Sequence, residues 1–310
     1  MPAPASIRAS LPFADSFPRT PFQVGTGAHA LDCRPGRPDD DSAAHVMGIL
    51  NVTPDSFSDG GEYVTVETAV SRAAEMLSEG ASIIDVGGES TRPGADPVGP
   101  AEERDRVVPV VDAITEAFPD ALVSIDTYKP EVARAALSAG AHIVNDVTGL
   151  RRGPDMALVA AEHDAPLVLM HSAGAPGDLT RPRDYDDVTA AVREALAQAV
   201  DTAREAGVPR VIVDPGFGFG KSDAENLRLL NTVDALLALE CPILVGVSRK
   251  STIGRTLGTP EAPVPVDERL YGSLGATAAA VLRGAALVRA HDVAPTVDML
   301  TVLGAALQRS

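Results

Sequence analysis

The residues able to do chemistry sit at the ends of short apolar runs. VMGIL (46–50) leads into Asn51. IIDV (83–86) carries Asp85 and is followed by Glu89, Thr91 and Arg92. LVSID (122–126) ends on Asp126, HIVND (142–146) on Asn145 and Asp146, LVLMH (167–171) on His171, and VIVD (211–214) on Asp214. ILVGV (243–247) leads into Ser248, Arg249 and Lys250. LVRAH (287–291) carries Arg289 and His291, with Asp292 next. A carboxylate that finishes an apolar strand needs a partner or a ligand there, and Asp126 and Asp214 are such cases. Asp146 and Thr148 read instead as helix-start caps, where Asp and Thr are common. His171 reads as structural. Arg289 and His291 alternate with Ala290, so both point to one side of a strand. They make two fixed donors suited to a phosphate, the arginine by a forked contact.

These runs need a scaffold that brings their ends together. From residue 45 onward, eight apolar runs alternate with segments of helical period near 66–80, 101–118, 130–139, 155–164, 185–206, 224–240, 268–284 and 294–308. Runs this apolar suit parallel strands buried on both faces. Eight strand–helix units in about 250 residues make a (β/α)8 barrel, whose active sites lie at the C-terminal rim of the strands. A doubly wound open sheet is the alternative. Residues 1–44, rich in Pro, Ala, Ser, Arg and Asp, read as a flexible or loosely docked arm, and 45–310 as the barrel domain. The arm has no apolar stretch behind a basic start, so it is not a secretory signal, and a cytoplasmic location is expected.

Composition removes several classes of function. The chain has 310 residues and a formal net charge of −17. A polyanionic surface is wrong for a general nucleic-acid binder, which needs a basic stripe. No apolar run approaches the roughly 18–20 residues that span a bilayer. Cys33 and Cys241 stand far apart without a CxxC or Cys/His cluster, so neither a zinc site nor a disulfide framework is expected. Gly220-Lys221-Ser222 matches the end of a phosphate-loop motif, but Pro215 stands where its first glycine belongs, so ATP is not implied. Asn51-Val52-Thr53 has the form of a glycosylation sequon, which Pro54 and a cytoplasmic location argue against. Only three of the 26 basic residues are lysines: Lys129, Lys221 and Lys250.

Seven segments together resemble one family. MGILNVTPDSFSDGG (47–61), DVGGESTRPGA (85–95), SIDTYKP (124–130), NDVTG (145–149), DPGFGFGK (214–221), VGVSRKS (245–251) and RAHDV (289–293) are similar, in order and spacing, to dihydropteroate synthases. The resemblance implies a (β/α)8 barrel of folate biosynthesis. Such a transferase joins 6-hydroxymethyl-7,8-dihydropterin diphosphate to 4-aminobenzoate, giving 7,8-dihydropteroate and diphosphate.

By that resemblance, Asp126, Asn145, Asp214 and Lys250 form the pterin pocket, with Val147 and Met170 packing on the ring and Gly246 beside it. A reduced pterin shows an amino group, a ring N–H and a carbonyl on one edge, which two carboxylates, an amide and an ammonium can read. Arg289 and His291 would take the diphosphate, and Thr91 and Arg92 would contact the pterin diphosphate substrate. Asn51 would be the protein ligand of a Mg²⁺ held mostly by water and phosphate. Phe57, Pro93 and Phe219 would pack the benzoate ring, Thr91 would also contact 4-aminobenzoate, and Ser251 would take its carboxylate at a helix start. Asp126, Lys250, Arg289 and His291 are the expected catalytic groups, and loops 54–63 and 87–96 would close the site. Sulfonamides would mimic the acid, and the last helices would form a homodimer. A pterin-binding methyltransferase barrel and a non-catalytic pterin-binding paralogue are the alternatives. The phosphate-facing segments, both loops and Lys250 argue against them.

Overall fold

The computed structural model describes residues 31, 33, 43–53, 65–90, 97–172, 174 and 184–308. Eight short strands alternate with helices. The strands are β1 (His45–Asn51), β2 (Ile83–Gly87), β3 (Leu122–Asp126), β4 (Ile143–Asp146), β5 (Leu167–Met170), β6 (Val211–Asp214), β7 (Leu244–Val245) and β8 (Leu287–Ala290). All pairings are parallel, in the order β6-β5-β4-β3-β2-β1-β8-β7. The two ends of that order meet: Val213 bridges Ile243, and the Val213 N–H donates to Pro242 O at 3.0 Å. The sheet therefore rolls into a (β/α)8 barrel whose thinnest seam lies between β6 and β7.

The wall around it is built from α1 (Val66–Ser78), α2 (Pro100–Ala117), α3 (Pro130–Ser138), α4 (Asp155–Glu162), α5 (Val188–Glu205), α6 (Asp223–Asn231), α7 (Ser251–Leu257), α8 (Leu270–Leu282) and α9 (Val293–Gln308). Three expected helices differ. The segment at 185–206 starts at Val188 because Asp187 caps it, accepting from the Thr189 and Ala190 N–H groups at 3.0 and 3.2 Å. The segment at 224–240 breaks at Thr232, whose hydroxyl donates to Arg228 O at 3.0 Å and pairs with Thr189 Oγ1 at 2.7 Å. Val233–Leu239 continues as a 3₁₀ helix. Before α8 a 3₁₀ turn at Val266–Glu268 and the short α7 intervene, neither visible as a separate period in the sequence.

Strand alternation sorts the core. One face of each strand packs under the helices. On the other face Met47, Ile83, Leu122, Ile143, Val168, Ile212, Leu244 and Leu287, one from each strand, form a separate apolar cluster inside the barrel. Cys33, 2% exposed, packs with them, so this point of the N-terminal stretch closes the barrel's lower end. No helix among the described residues is long and apolar enough to cross a membrane.

Candidate active site

Two residues beyond that apolar set, the next inward positions are Ile49, Asp85, Ser124, Asn145, Met170, Asp214, Gly246 and Arg289. Polarity thus switches on within one inward step on five of eight strands. Register sets Asp126 beside Asn145 and Met170 beside Asp214. Arg289 reaches across β1: its Nε donates to Asp85 Oδ2 and its Nη2 to Asp126 Oδ2, both at 2.6 Å. Asn145 Nδ2 donates to the same Asp85 oxygen at 3.0 Å. One half-buried guanidinium therefore serves two carboxylates. Burial disfavours its charge, but Asp85 and Asp126 outweigh that and raise its pKa. Asp126 is pushed up to about 7 by burial, which Arg289 opposes and Asp85 reinforces. Asp85 Oδ1 and its neighbour Ser124 Oγ are buried without a hydrogen-bond partner among the described residues. Buried polar atoms of this kind call for a ligand or an ordered water.

On the opposite side, Asp214 accepts from the Gly216 N–H through Oδ1 at 2.7 Å. Burial raises its pKa, while Lys250 lowers it. Lys250 Nζ donates to Phe217 O and lies 4.3 Å from the centre of the Phe219 ring. Burial brings this ammonium down to about 8, against the pull of Asp214. The glycines of the GFGFG loop are required here. Gly216 has φ +68°, and a methyl on it would lie 1.8 Å from His171 O. A methyl on Gly218, φ +84°, would strike Lys250 Cδ at 2.9 Å. Just before Lys250, Arg249 takes φ +58°, held by its ion pair with Asp292 and by Arg269 Nη1 donating to Arg249 O at 2.9 Å. Such left-handed non-glycine backbone persists only where its surroundings impose it.

An apolar wall completes the mouth: Tyr128, Val147, Met170 and Phe219 form their own buried cluster. It offers flat and aromatic surface beside Asp126, Asn145 and Asp214, as a planar ring would need. A methyl on Gly87 would lie 3.6 Å from Asp126 Oδ2 and 3.7 Å from Asn51 Oδ1, so both side chains border one spot. A methyl on Gly246 would lie 3.6 Å from Arg289 Cβ and 3.9 Å from Lys250 Nζ. His291 stands at the exit of β8, its Nδ1 3.0 Å from Ser248 Oγ. Among the described residues no group of three or more His, Cys, Asp and Glu could hold a metal. Asn51 Oδ1 at the rim is a hard oxygen donor of the kind that Mg²⁺ takes.

The motif residues Asp126, Asn145, Asp214, Lys250 and Arg289 thus border one mouth, in which Arg289 also joins Asp85 to Asp126. The family described as "Pterin binding enzyme" matches residues 47–291. The dihydropteroate synthase of Escherichia coli K12 is 46% identical over 268 residues, covering 86% of this chain and 93% of that protein. A solved dihydropteroate synthase of Xanthomonas albilineans, with 4-aminobenzoic acid, is 47% identical. It covers 85% of this chain and 93% of its own, with a TM-score of 0.78. This chain belongs to the dihydropteroate synthase family. A probable bifunctional folylpolyglutamate synthase/dihydropteroate synthase of Haloferax volcanii is 51% identical over 259 residues, but this chain spans only 30% of its length.

Of the residues that the family resemblance assigns, Asp126, Asn145, Val147, Met170, Asp214, Phe219, Gly246, Lys250 and Arg289 converge on one mouth, and Asn51, His291 and Ser251 stand at strand exits or helix starts on the same rim. Phe57, Thr91, Arg92 and Pro93 lie outside the described residues. Asp146 serves its own turn, accepting from Thr148 N–H and Oγ1 and from Leu150 N–H at 2.7–2.8 Å. At His171 burial lowers the pKa to about 3, with Lys221 and Arg151 adding to the shift, and its Nδ1 is buried without a hydrogen-bond partner among the described residues. The motif resemblance assigns no role to Asp85, although its place two residues beyond the inward Ile83 puts it on the inner face. Lys129 has no assigned role either. It is buried between Glu89 and Glu103, and Glu89 also accepts from the Tyr128 hydroxyl at 2.9 Å, so this network ties Glu89, just past β2, to α2 and the start of α3.

Proposed function

We propose that this chain is a dihydropteroate synthase, joining the methylene carbon of (7,8-dihydropterin-6-yl)methyl diphosphate to the amine of 4-aminobenzoate. The observation that carries this is Arg289 shared by Asp85 and Asp126 beside Asn145, facing Asp214 and Lys250 across an aromatic wall. Asp214 and Asn145 take the N–H edge of the pterin, Lys250 donates to its carbonyl or a ring nitrogen, and Val147, Met170 and Phe219 pack its faces. The bond from the methylene carbon to the diphosphate oxygen breaks first, its electrons leaving with diphosphate. The remaining cation delocalises into the electron-rich ring, where Asp126 stabilises it. The aniline nitrogen then attacks the same carbon and loses one proton to water. No strong base is needed, because positioning the weak amine supplies the rest.

Arg289 and His291 hold the leaving diphosphate. Asn51 is the residue that would hold Mg²⁺, which when bound offsets phosphate charge. Initial-rate assays test the reading: diphosphate release should require the pterin diphosphate, 4-aminobenzoate and Mg²⁺ together. Sulfonamides should inhibit, and 4-aminobenzoate should relieve them competitively. Asp126→Ala should lower turnover about 100-fold, the scale of removing one electrostatic stabiliser; near-normal turnover would refute its role.

A homodimer through the last helices is part of this reading. An apolar groove of about 480 Å³ between α6, α7 and α8, lined by Gly272, Gly275 and Ala276, supports it, as do exposed Tyr271 and Leu282. Sedimentation should give twice the chain mass. A cytoplasmic location suits Cys33 and Cys241, both buried thiols.

A further inference from the structure

Lys221 has no part in the chemistry above, yet it is 4% exposed at the edge of the mouth. Its ammonium donates to three backbone carbonyls: Gly216 O and Phe219 O at 2.9 Å, and His171 O at 3.3 Å. Two of these belong to the loop between β6 and α6. The third ends β5. The ammonium therefore joins the loop to the neighbouring strand, at the place where Gly216 already presses on His171 O. Contacts that aim Lys250 and Asp214 from this side lie on the same loop. Lys250 Nζ donates to Phe217 O and sits over the Phe219 ring, and Asp214 receives the Gly216 N–H.

We propose that Lys221 is a positioning residue, whose three-carbonyl hub fixes the 215–220 loop and thereby aims Lys250 and Asp214 at the substrate. The reading rests on the proposed function for its kinetic consequence, but not for its geometry. The residue type follows from the space. An ammonium is a compact donor of three hydrogen bonds, whereas a guanidinium is a broad planar fork. The three acceptors, two at 2.9 Å and one at 3.3 Å, close round a single nitrogen, which a point donor satisfies and a planar fork does not. A chain that otherwise prefers arginine keeps lysine at three positions, and Lys129, Lys221 and Lys250 all lie buried or half-buried among acceptors. Burial draws the Lys221 ammonium down to about 7, with Asp214 opposing and Lys250 adding to the shift.

With only three lysines, ¹⁵N-lysine labelling gives three side-chain NMR signals, each assignable by one substitution. In Lys221→Met, kcat/KM for the pterin substrate should fall at least about 100-fold while KM for 4-aminobenzoate changes less than about threefold. The Lys250 signal should shift, and its titration should move away from about 8. Lys221→Arg should not restore either. A folded Lys221→Met chain with wild-type kinetics and an unmoved Lys250 signal would overturn the proposal. If that variant does not fold, the wild-type chain decides. A Lys221 ammonium that exchanges its protons slowly supports the hub, and one that exchanges like a solvent-exposed amine overturns it. A chain with no synthase activity would instead refute the function, since the Lys250 signal reads positioning without turnover.

Discussion

Replacing Asp85 by Asn separates two consequences of sharing Arg289. Asp85 is fully buried, and its Oδ2 meets Arg289 Nε at 2.6 Å and Asn145 Nδ2 at 3.0 Å. Asparagine keeps the size and removes the charge. The first consequence is mechanical. A hydrogen bond to a charged group contributes about 1.5–3 kcal/mol and a neutral one about 0.5–1.5 kcal/mol, so roughly 1–1.5 kcal/mol of restraint on Arg289 is lost. At 1.4 kcal/mol per tenfold, kcat/KM should fall about tenfold. The second is electrostatic. Asp126 sits at about 7 through burial, with Arg289 lowering it and Asp85 raising it. Removing the Asp85 charge leaves the guanidinium to Asp126 alone and deletes a like charge, and both changes lower its pKa. Asp126 acts as a carboxylate, so activity is lost as pH falls through that value. The acid limb of log kcat/KM against pH should therefore move from about 7 toward the usual carboxylate range in Asp85→Asn. Initial rates of dihydropteroate formation across the pH range measure both. An acid limb that stays in place or moves upward, with kcat/KM within twofold of wild type, would refute the shared-arginine reasoning.

Three further outcomes follow from packing and charge. Lys129→Met strands Glu89 and Glu103, the latter 1% exposed and already raised by burial. Breaking a buried pair costs about 3–5 kcal/mol, so thermal unfolding should come roughly 10 °C earlier, and an unchanged melting temperature would contradict the buried network. Gly216→Ala places a methyl 1.8 Å from His171 O at φ +68°, backbone against backbone. It should fail to fold or should melt far below the wild type, and calorimetry showing a normal transition would disprove the loop's close seat. The charge of −17 repels itself in the folded state. Melting temperature should rise as sodium chloride increases from about 0.05 to about 1 M, where screening shortens to about 3 Å; a flat or falling curve would count against it.

Much of the site was legible in one dimension because strand geometry is local. Alternation makes every second residue face inward. Ile83 therefore points to Asp85, Ile143 to Asn145, Ile212 to Asp214 and Leu287 to Arg289. The order of apolar runs and helical segments likewise implied the barrel, and with it the convergence of strand ends on one rim. Helix limits were less readable. The same apolar period runs through Thr232, and only the Thr232 hydroxyl's pairing with Thr189 of α5 explains the break there.

The partners themselves depend on closure. Asp85 and Arg289 are separated by 204 residues and by a strand between them, so no spacing could show that they bond. Nor could it show that Arg249 is spent on Asp292 at the exit of β8 while its neighbour Lys250 reaches Phe217 O on the loop after β6. Lys221 makes the same point. Its motif matches only the end of a phosphate loop, and its partners include His171 O, fifty residues earlier and just past β5. Sequence determined which chemical groups face the interior, since that follows from the period of each strand. Tertiary structure decided which of them share a charge, because stagger and curvature set distances that no single strand contains.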